Sequence, residues 1–410
     1  MIFTGFLPNT RSSDVRIALS YLLLPWKWFS IRKGKHIAEV EEKLQTYFQV
    51  STAITFDSGR TALQKAIEVL DIKKGDEVIV QGYTCMVVSN AIRWTGATPV
   101  YVDVLEDLNM NTADLKKKIT KNTKAIIIQH TFGNPAKVEE IVALAKEKNI
   151  STIEDTAHAI GGEYKGKKLG TFADIGMFSF GTDKVISCVR GGALITNNAE
   201  IAKKIKALHG ELPQTSLLKV SQYLYNIPLF QIGKRGYSSF GKILLVASNK
   251  LHLTGKIIYK QEKCGAQISA YPATLPNALA HILLGQLDDL DARNVHRQTI
   301  AKQYKKALPD IETPHNHPEN IFLRYTLFVS DPKSLLAYAK KHGILLGNWY
   351  NAPIAPAYKE APITGYEKGM CPHAESYAAR SMNLPTNRNI GKKEAETIIN
   401  CVKSYENRSR

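Results

Sequence analysis

Ile153-Glu154-Asp155-Thr156-Ala157-His158 ends a β-branched run on a carboxylate, and Phe178-Ser179-Phe180-Gly181-Thr182-Asp183-Lys184 carries a second apolar run onto a hydroxyl and then a lysine. Both read as strands that present polar side chains at their carboxyl ends. They decide the fold because they lie inside a longer alternation. From Thr52 to about Leu208, short β-branched runs alternate with helical periods, the pattern of a mostly parallel sheet with crossover helices. Strands are expected at Thr52–Thr55, Glu77–Gln81, Pro99–Val104, Ala125–His130, Ser151–Glu154, Ile175–Phe180 and Ala193–Thr196, a seven-strand set. Helices are expected between them at Thr61–Leu70, Met86–Trp94, Thr112–Ile119, Val138–Lys148 and Glu200–His209. Ligands of such sheets collect beyond the carboxyl ends of the strands, where both stretches end.

Outward from this core, 410 residues suit a two-domain enzyme. The expected division is an N-terminal segment 1–30, a large domain 31–211, an insertion 212–266 and a smaller C-terminal α/β domain 267–410. The apolar stretch Ile17 to Trp28 is broken by Pro25 and is shorter than the ~20 residues of a bilayer crossing, so it reads as a packed helix. Five cysteines are scattered without paired or metal-like spacing, which points to a reducing cytoplasm and no metal. A net charge of +17, from 54 basic and 37 acidic residues, suits anionic partners or a solvated surface. Without zinc-finger spacing or RNA-binding aromatic motifs, no nucleic-acid partner is expected.

Three segments carry chemistry. An aspartate at the end of a strand, such as Asp155, can keep a pyridinium nitrogen protonated and so make the ring an electron sink; it can also be a plain loop acceptor. Lys184 follows Ser179 at the next strand end, where a desolvated pocket can hold an amine partly unprotonated for Schiff-base chemistry; a lone loop lysine is otherwise a surface charge. Asp57-Ser58-Gly59-Arg60-Thr61-Ala62-Leu63 joins a strand to a helix through a glycine, so its free N–H groups can hold a phosphate or merely cap the helix.

Taken in order, the chain resembles the DegT-type sugar aminotransferases, a branch of the fold-type I pyridoxal-phosphate enzymes. The resemblance rests on Ser58–Leu63, Gly96–Asp103, His130–Pro135, Glu154–Ala159, Ser179-Phe180 to Lys184, Gly191-Gly192, His209-Gly210, Gln286-Leu287 and Leu384-Pro385. It implies an α/β fold with a large domain built on a seven-stranded mostly parallel sheet, and pyridoxal 5′-phosphate as cofactor. It implies Lys184 as the lysine holding that cofactor, Asp155 as the partner of the ring nitrogen, and His158 beside the ring's oxygen. Ser58, Ser179 and the Gly59–Arg60 backbone would bind the phosphate. Family members are homodimers that commonly aminate nucleotide-linked keto-sugars with glutamate as donor, in glycan synthesis.

Four departures accompany the likeness. Cys85 stands where the family usually stacks an aromatic ring on the cofactor, with Tyr83 nearby as a substitute. Arg190 replaces an acidic residue before Gly191-Gly192. Pro272-Ala273-Thr274 lies where many members carry Asn-x-Arg. The fourth is the insertion, where Ser216 to Lys263 mixes apolar runs with eight basic residues and a single acid, Glu262. That composition suits peripheral contact with an anionic membrane, cover for a partner subunit, or a wall at the substrate entrance. Two further readings share the fold, a sugar dehydratase or other lyase and a non-catalytic homologue; retention of Lys184 favours transamination.

Overall fold

The computed structural model describes residues 1–5, 7–256, 258–356 and 364–409. Seven strands form the central sheet: β1 (Thr52–Phe56), β2 (Glu77–Gln81), β3 (Thr98–Val102), β4 (Thr123–Gln129), β5 (Ser151–Asp155), β6 (Ile175–Ser179) and β7 (Gly192–Thr196). Their order is β1-β7-β6-β5-β4-β2-β3. Six strands run the same way, and β7 lies antiparallel between β1 and β6. Each expected strand is present, with ends displaced by at most two residues. The strands are apolar on both faces because helices cover both, so their sequences read as runs rather than alternations.

Register places the site. Ile153 on β5 pairs with Ile175 on β6, and Asp155 pairs with Met177. Successive side chains point to opposite faces. Glu154 therefore turns away from Asp155, accepts the Phe172 backbone N–H at 2.9 Å, and sits 2.9 Å from His130 Nε2, with both side chains fully buried. This pair anchors the strand whose next residue enters the cavity. Glycines let three strands close on the turn after β1. A Cβ on Gly59 would lie 2.7 Å from Cβ of Ser179, and one on Gly192 2.6 Å from the Ser58 carbonyl carbon.

The C-terminal portion has its own core, running from Ile300 through Leu327 and Leu384 to Val402, around an antiparallel pair formed by Arg324–Phe328 and Ser381–Pro385. Helix Asn277–Asp288 instead packs on helix His36–Phe48 and shares the core of the large sheet. A short parallel pairing of Ile354–Ala355 with Thr84–Cys85 ties the C-terminal portion to the sheet edge.

Two stretches differ from their sequence reading. The N-terminal helix spans Ser12–Leu23 and stops before Pro25, which opens a 3-10 turn over Pro25–Ser30. Trp26 and Trp28 are exposed there, and Phe29 is 93% exposed, so the expected packing of Ile17 to Trp28 holds only for its first half. The segment after Gly210 shows no strand–helix alternation in sequence and is helical, with helices Leu217–Arg235, Lys242–Lys250 and Lys260–Lys263. Its long helix lies along Ser12–Leu23, and Lys234 Nζ donates to the Leu7 carbonyl at 3.1 Å.

Candidate active site

A cavity of about 360 Å³ lies at the carboxyl edge of β1, β5 and β6. It gathers Ser58, Gly59, Arg60, Cys85, Asp155, His158, Ser179 and Lys184 from separate parts of the chain. Ser58 caps helix Gly59–Glu68, its Oγ accepting the Thr61 N–H at 3.3 Å. The cap and the anion-binding turn are therefore one structure, since the capped helix leaves its first N–H groups facing the cavity.

Asp155 is buried, and its Oδ1 accepts the Ala157 N–H at 2.9 Å, so it is a loop acceptor as well as a cavity residue. Burial pushes its carboxyl above the usual range, against the pull of the Ala157 N–H and of Lys184. Burial likewise pushes the Lys184 amine below its ordinary value, while Asp155 pulls the other way. Lys184 is thus shielded from bulk water yet open to the cavity, the condition for an amine that must shed its proton. Its loop is held by Asn9, whose Nδ2 donates to the Lys184 carbonyl at 2.6 Å. His158 is held well below its ordinary value by burial first and then by the charges of Lys184 and Arg324, so its imidazole is neutral at physiological pH.

Arg60 turns its guanidinium away from the turn. It donates to the Tyr271 hydroxyl at 2.8 Å and pairs with Glu262 of the insertion. Burial, then the nearby Arg190, lowers it to about 10.

Which residues form the facing wall was not evident in the sequence. Tyr223, Asn226, Gly255, Lys256, Ile258 and Lys263 come to it from the insertion. Trp349 and Tyr350 come from the loop that leads into the Ile354–Ala355 pairing. The rings of Phe132, His158, Tyr350 and Trp349 stack in sequence at centroid distances of 5.5, 6.1 and 5.9 Å. An aromatic surface is therefore present although position 85 is a cysteine. Its one sequence signal is an adjacent Trp-Tyr pair in a polar, proline-bearing loop.

Tyr83, expected at the cofactor face, does not line the cavity. Its ring is fully buried against Phe132 and Tyr350, and its hydroxyl is satisfied by Ser381 Oγ at 2.7 Å and the Tyr350 N–H at 3.1 Å. It holds Tyr350 in place from behind.

The residues fit a phosphorylated pyridine. The cavity falls in the size range of small-molecule sites, about 300–1,000 Å³, with capped N–H groups and a hydroxyl at one end, a buried carboxylate deep in it and a desolvated lysine on its wall. This combination, on a sheet with a single antiparallel strand, defines a fold-type I enzyme whose cofactor is pyridoxal 5′-phosphate. The chain belongs to the DegT/DnrJ/EryC1/StrS aminotransferase family, whose model matches residues 22–232 and 242–403, with its break inside the insertion. It is a pyridoxal-phosphate-dependent aminotransferase. Among similar proteins, GDP-perosamine synthase of Escherichia coli O157:H7 is 30% identical over 391 residues, covering 92% of each chain. The dTDP-3-amino-3,4,6-trideoxy-alpha-D-glucose transaminase of Streptomyces venezuelae is 28% identical, covering 92% of this chain and 88% of that one. A Streptococcus pneumoniae protein provisionally described as a sugar aminotransferase, in its pyridoxal-phosphate form, shares the fold with a TM-score of 0.75, 22% identity and 98% coverage of both chains.

Proposed function

We propose that the enzyme moves an amino group from glutamate to a nucleotide-linked keto-sugar in glycan or polysaccharide synthesis. The observation that carries this reading is the meeting of Asp155 and a desolvated Lys184 in one cavity beside a capped, N–H-lined turn. The names of the relatives supply the substrate class, a GDP-linked and a dTDP-linked amino sugar.

In this reading the Ser58–Arg60 turn and the Ser179 hydroxyl hold the phosphate. Asp155 would keep the ring nitrogen protonated, and neutral His158 would stand beside the ring's oxygen. Cys85 and the Tyr350 surface line the same cavity and would border the ring. When bound, the cofactor supplies an electron sink for a carbanion at the carbon that gains or loses nitrogen. Lys184 would hold the cofactor and, as an amine of lowered basicity, would move a proton between substrate atoms. In this account residues 31–211 together with helix Asn277–Asp288 act as the large domain, the portion with its own core from Ile300 to Val402 as the smaller one, and 212–266 as a wall of the site, so the expected boundary at 267 moves toward the C-terminus.

We assign the chain to a homodimer in the cytoplasm, where its five free thiols suit a reducing milieu. No helix among the described residues is long and apolar enough to cross a membrane. The exposed Leu217, Leu218, Ile232, Phe240, Ile243 and Val246 of the insertion support a contact surface, which we give to the second copy of the chain. Sedimentation should then give twice 45.6 kDa. A monomer that cosediments with anionic vesicles in a salt-sensitive way would instead give that surface to a membrane.

Glutamate alone should shift the visible spectrum of the loaded enzyme, and GDP- or dTDP-linked keto-sugars should restore it. A spectrum indifferent to every amino donor would contradict transamination from an amino acid. Restoration by simple keto acids alone would contradict the sugar substrate.

A further inference from the structure

Arg190 is a buried guanidinium with unused donors. It is 6% exposed and lines the cavity, yet its Nε and Nη2 atoms have no hydrogen-bond partner. Its nearest carboxylate is Asp57, with Oδ2 3.7 Å from Nε, too far for a hydrogen bond. Asp57 Oδ1 faces other donors, the Ser58 hydroxyl and the Ala273 N–H, each at 3.4 Å. Glu262, the other acid at this end, is paired with Arg60. The guanidinium rests on the ring of Tyr271 at 4.8 Å, hydrogen-bonds to that residue's hydroxyl and is 5.7 Å from the ring of Tyr223, contacts that fix its plane and still leave Nε and Nη2 unused. Buried donors are nearly always matched by an acceptor, and a fixed guanidinium fork matches phosphoryl oxygens best.

Location specifies the acceptor. Arg190 directly precedes Gly191-Gly192, and Gly192 lies against the Ser58–Gly59 backbone. The free donors of Arg190 therefore open at the same end of the cavity as the N-terminus of helix Gly59–Glu68. Lys256 and Lys263 line the same cavity.

We propose that Arg190 binds a phosphoryl group through Nε–H and Nη2–H. The group belongs either to the cofactor or to the sugar nucleotide, and the proposal rests on the function assigned above. The test compares wild type, Arg190→Gln and Arg190→Lys, each as the full chain. Cofactor-free protein is titrated with pyridoxal 5′-phosphate and with pyridoxal, which lacks the phosphate, following visible absorbance. The loaded enzyme is titrated with inorganic pyrophosphate by calorimetry. If the cofactor supplies the group, Arg190→Gln weakens pyridoxal 5′-phosphate about 10- to 100-fold and leaves pyridoxal unchanged, as expected for charge-assisted hydrogen bonds. If the substrate supplies it, the cofactor titration is unchanged and pyrophosphate binding falls by a similar factor. Should Arg190→Gln fail to fold, Arg190→Lys decides, because it keeps the charge and loses the fork; a loss for either ligand supports the proposal. Unchanged binding of both phosphate ligands, or equal weakening of pyridoxal and its phosphate, overturns it. Absence of a visible complex with either vitamer in the wild type overturns the cofactor assignment itself, a failure distinct from that of Arg190.

Discussion

The cavity has two walls of different origin. The sheet-edge wall, with Ser58–Arg60, Cys85, Asp155, His158, Ser179 and Lys184, sits at strand ends whose positions follow from local periodicity and turn chemistry. The facing wall, with Tyr223, Asn226, Lys256, Trp349 and Tyr350, is assembled by contacts between segments far apart in the chain. Trp349 and Tyr350 arrive only because Ile354–Ala355 pairs with Thr84–Cys85, and Tyr223 only because helix Leu217–Arg235 lies along Ser12–Leu23. In this account the first wall runs the chemistry common to the fold, and the second selects what enters. The contrast can be broken or sharpened by changing one wall at a time.

The largest effect should come from Lys184→Ala, which in the proposed reading removes both the covalent anchor and the base. Turnover should fall by about 10⁴-fold or more, the upper range for a positioned acid–base group. A variant within tenfold of wild type would remove the sheet-edge wall from catalysis. Next is Asp155→Asn, which keeps the shape but loses the charge; single-turnover rates should drop about 10²- to 10³-fold, as for other preorganised electrostatic groups, while cofactor is still taken up. On the opposite wall, Asn226→Ala should act on KM rather than on cofactor attachment. The Asn226 side chain accepts the Gly255 N–H at 2.9 Å and donates to the Gly255 carbonyl at 3.3 Å, holding Gly255 and Lys256 at the rim. Losing such bonds should raise KM for the sugar about five- to tenfold, with kcat little changed. Equal effects on cofactor uptake would erase the distinction between the walls.

The smallest effect concerns pH. Because burial, Lys184 and Arg324 hold His158 below its ordinary value, the unfolded chain takes up this proton first as pH falls through about 6.5. Stability contributed by neutral His158 is therefore present above that pH and lost below it. His158→Gln should narrow the gap between melting temperatures measured at pH 7.5 and pH 5. An unchanged gap would mean that the imidazole is not desolvated.

Much of the first wall was legible because its elements are local. All seven strands fall within two residues of their expected places, and Asp155 and Lys184 occupy the strand-end positions their segments predict. The helix after β1 begins at Gly59 rather than Thr61, because the Ser58 cap lets the turn itself be helical. Tyr83 misled as the stacking ring because it is the aromatic residue nearest Cys85 in sequence, whereas its ring packs in the core on Phe132 and Tyr350 and its hydroxyl is satisfied there by Ser381 and the Tyr350 N–H. The insertion was opaque for another reason. Its long helix buries Val220, Tyr223, Leu224 and Ile227 while leaving Leu217, Leu218 and Ile232 exposed, so its apolar residues trace no single stripe. Its single acid, Glu262, is the residue that locks Arg60, a pairing no spacing rule connects across such a separation.

The most direct measurement is borohydride reduction of the loaded enzyme followed by peptide mapping. The account predicts a pyridoxyl group on Lys184 alone, in the peptide carrying Phe178 to Lys184. Label on a different lysine, such as Lys256 or Lys263 of the facing wall, would contradict it.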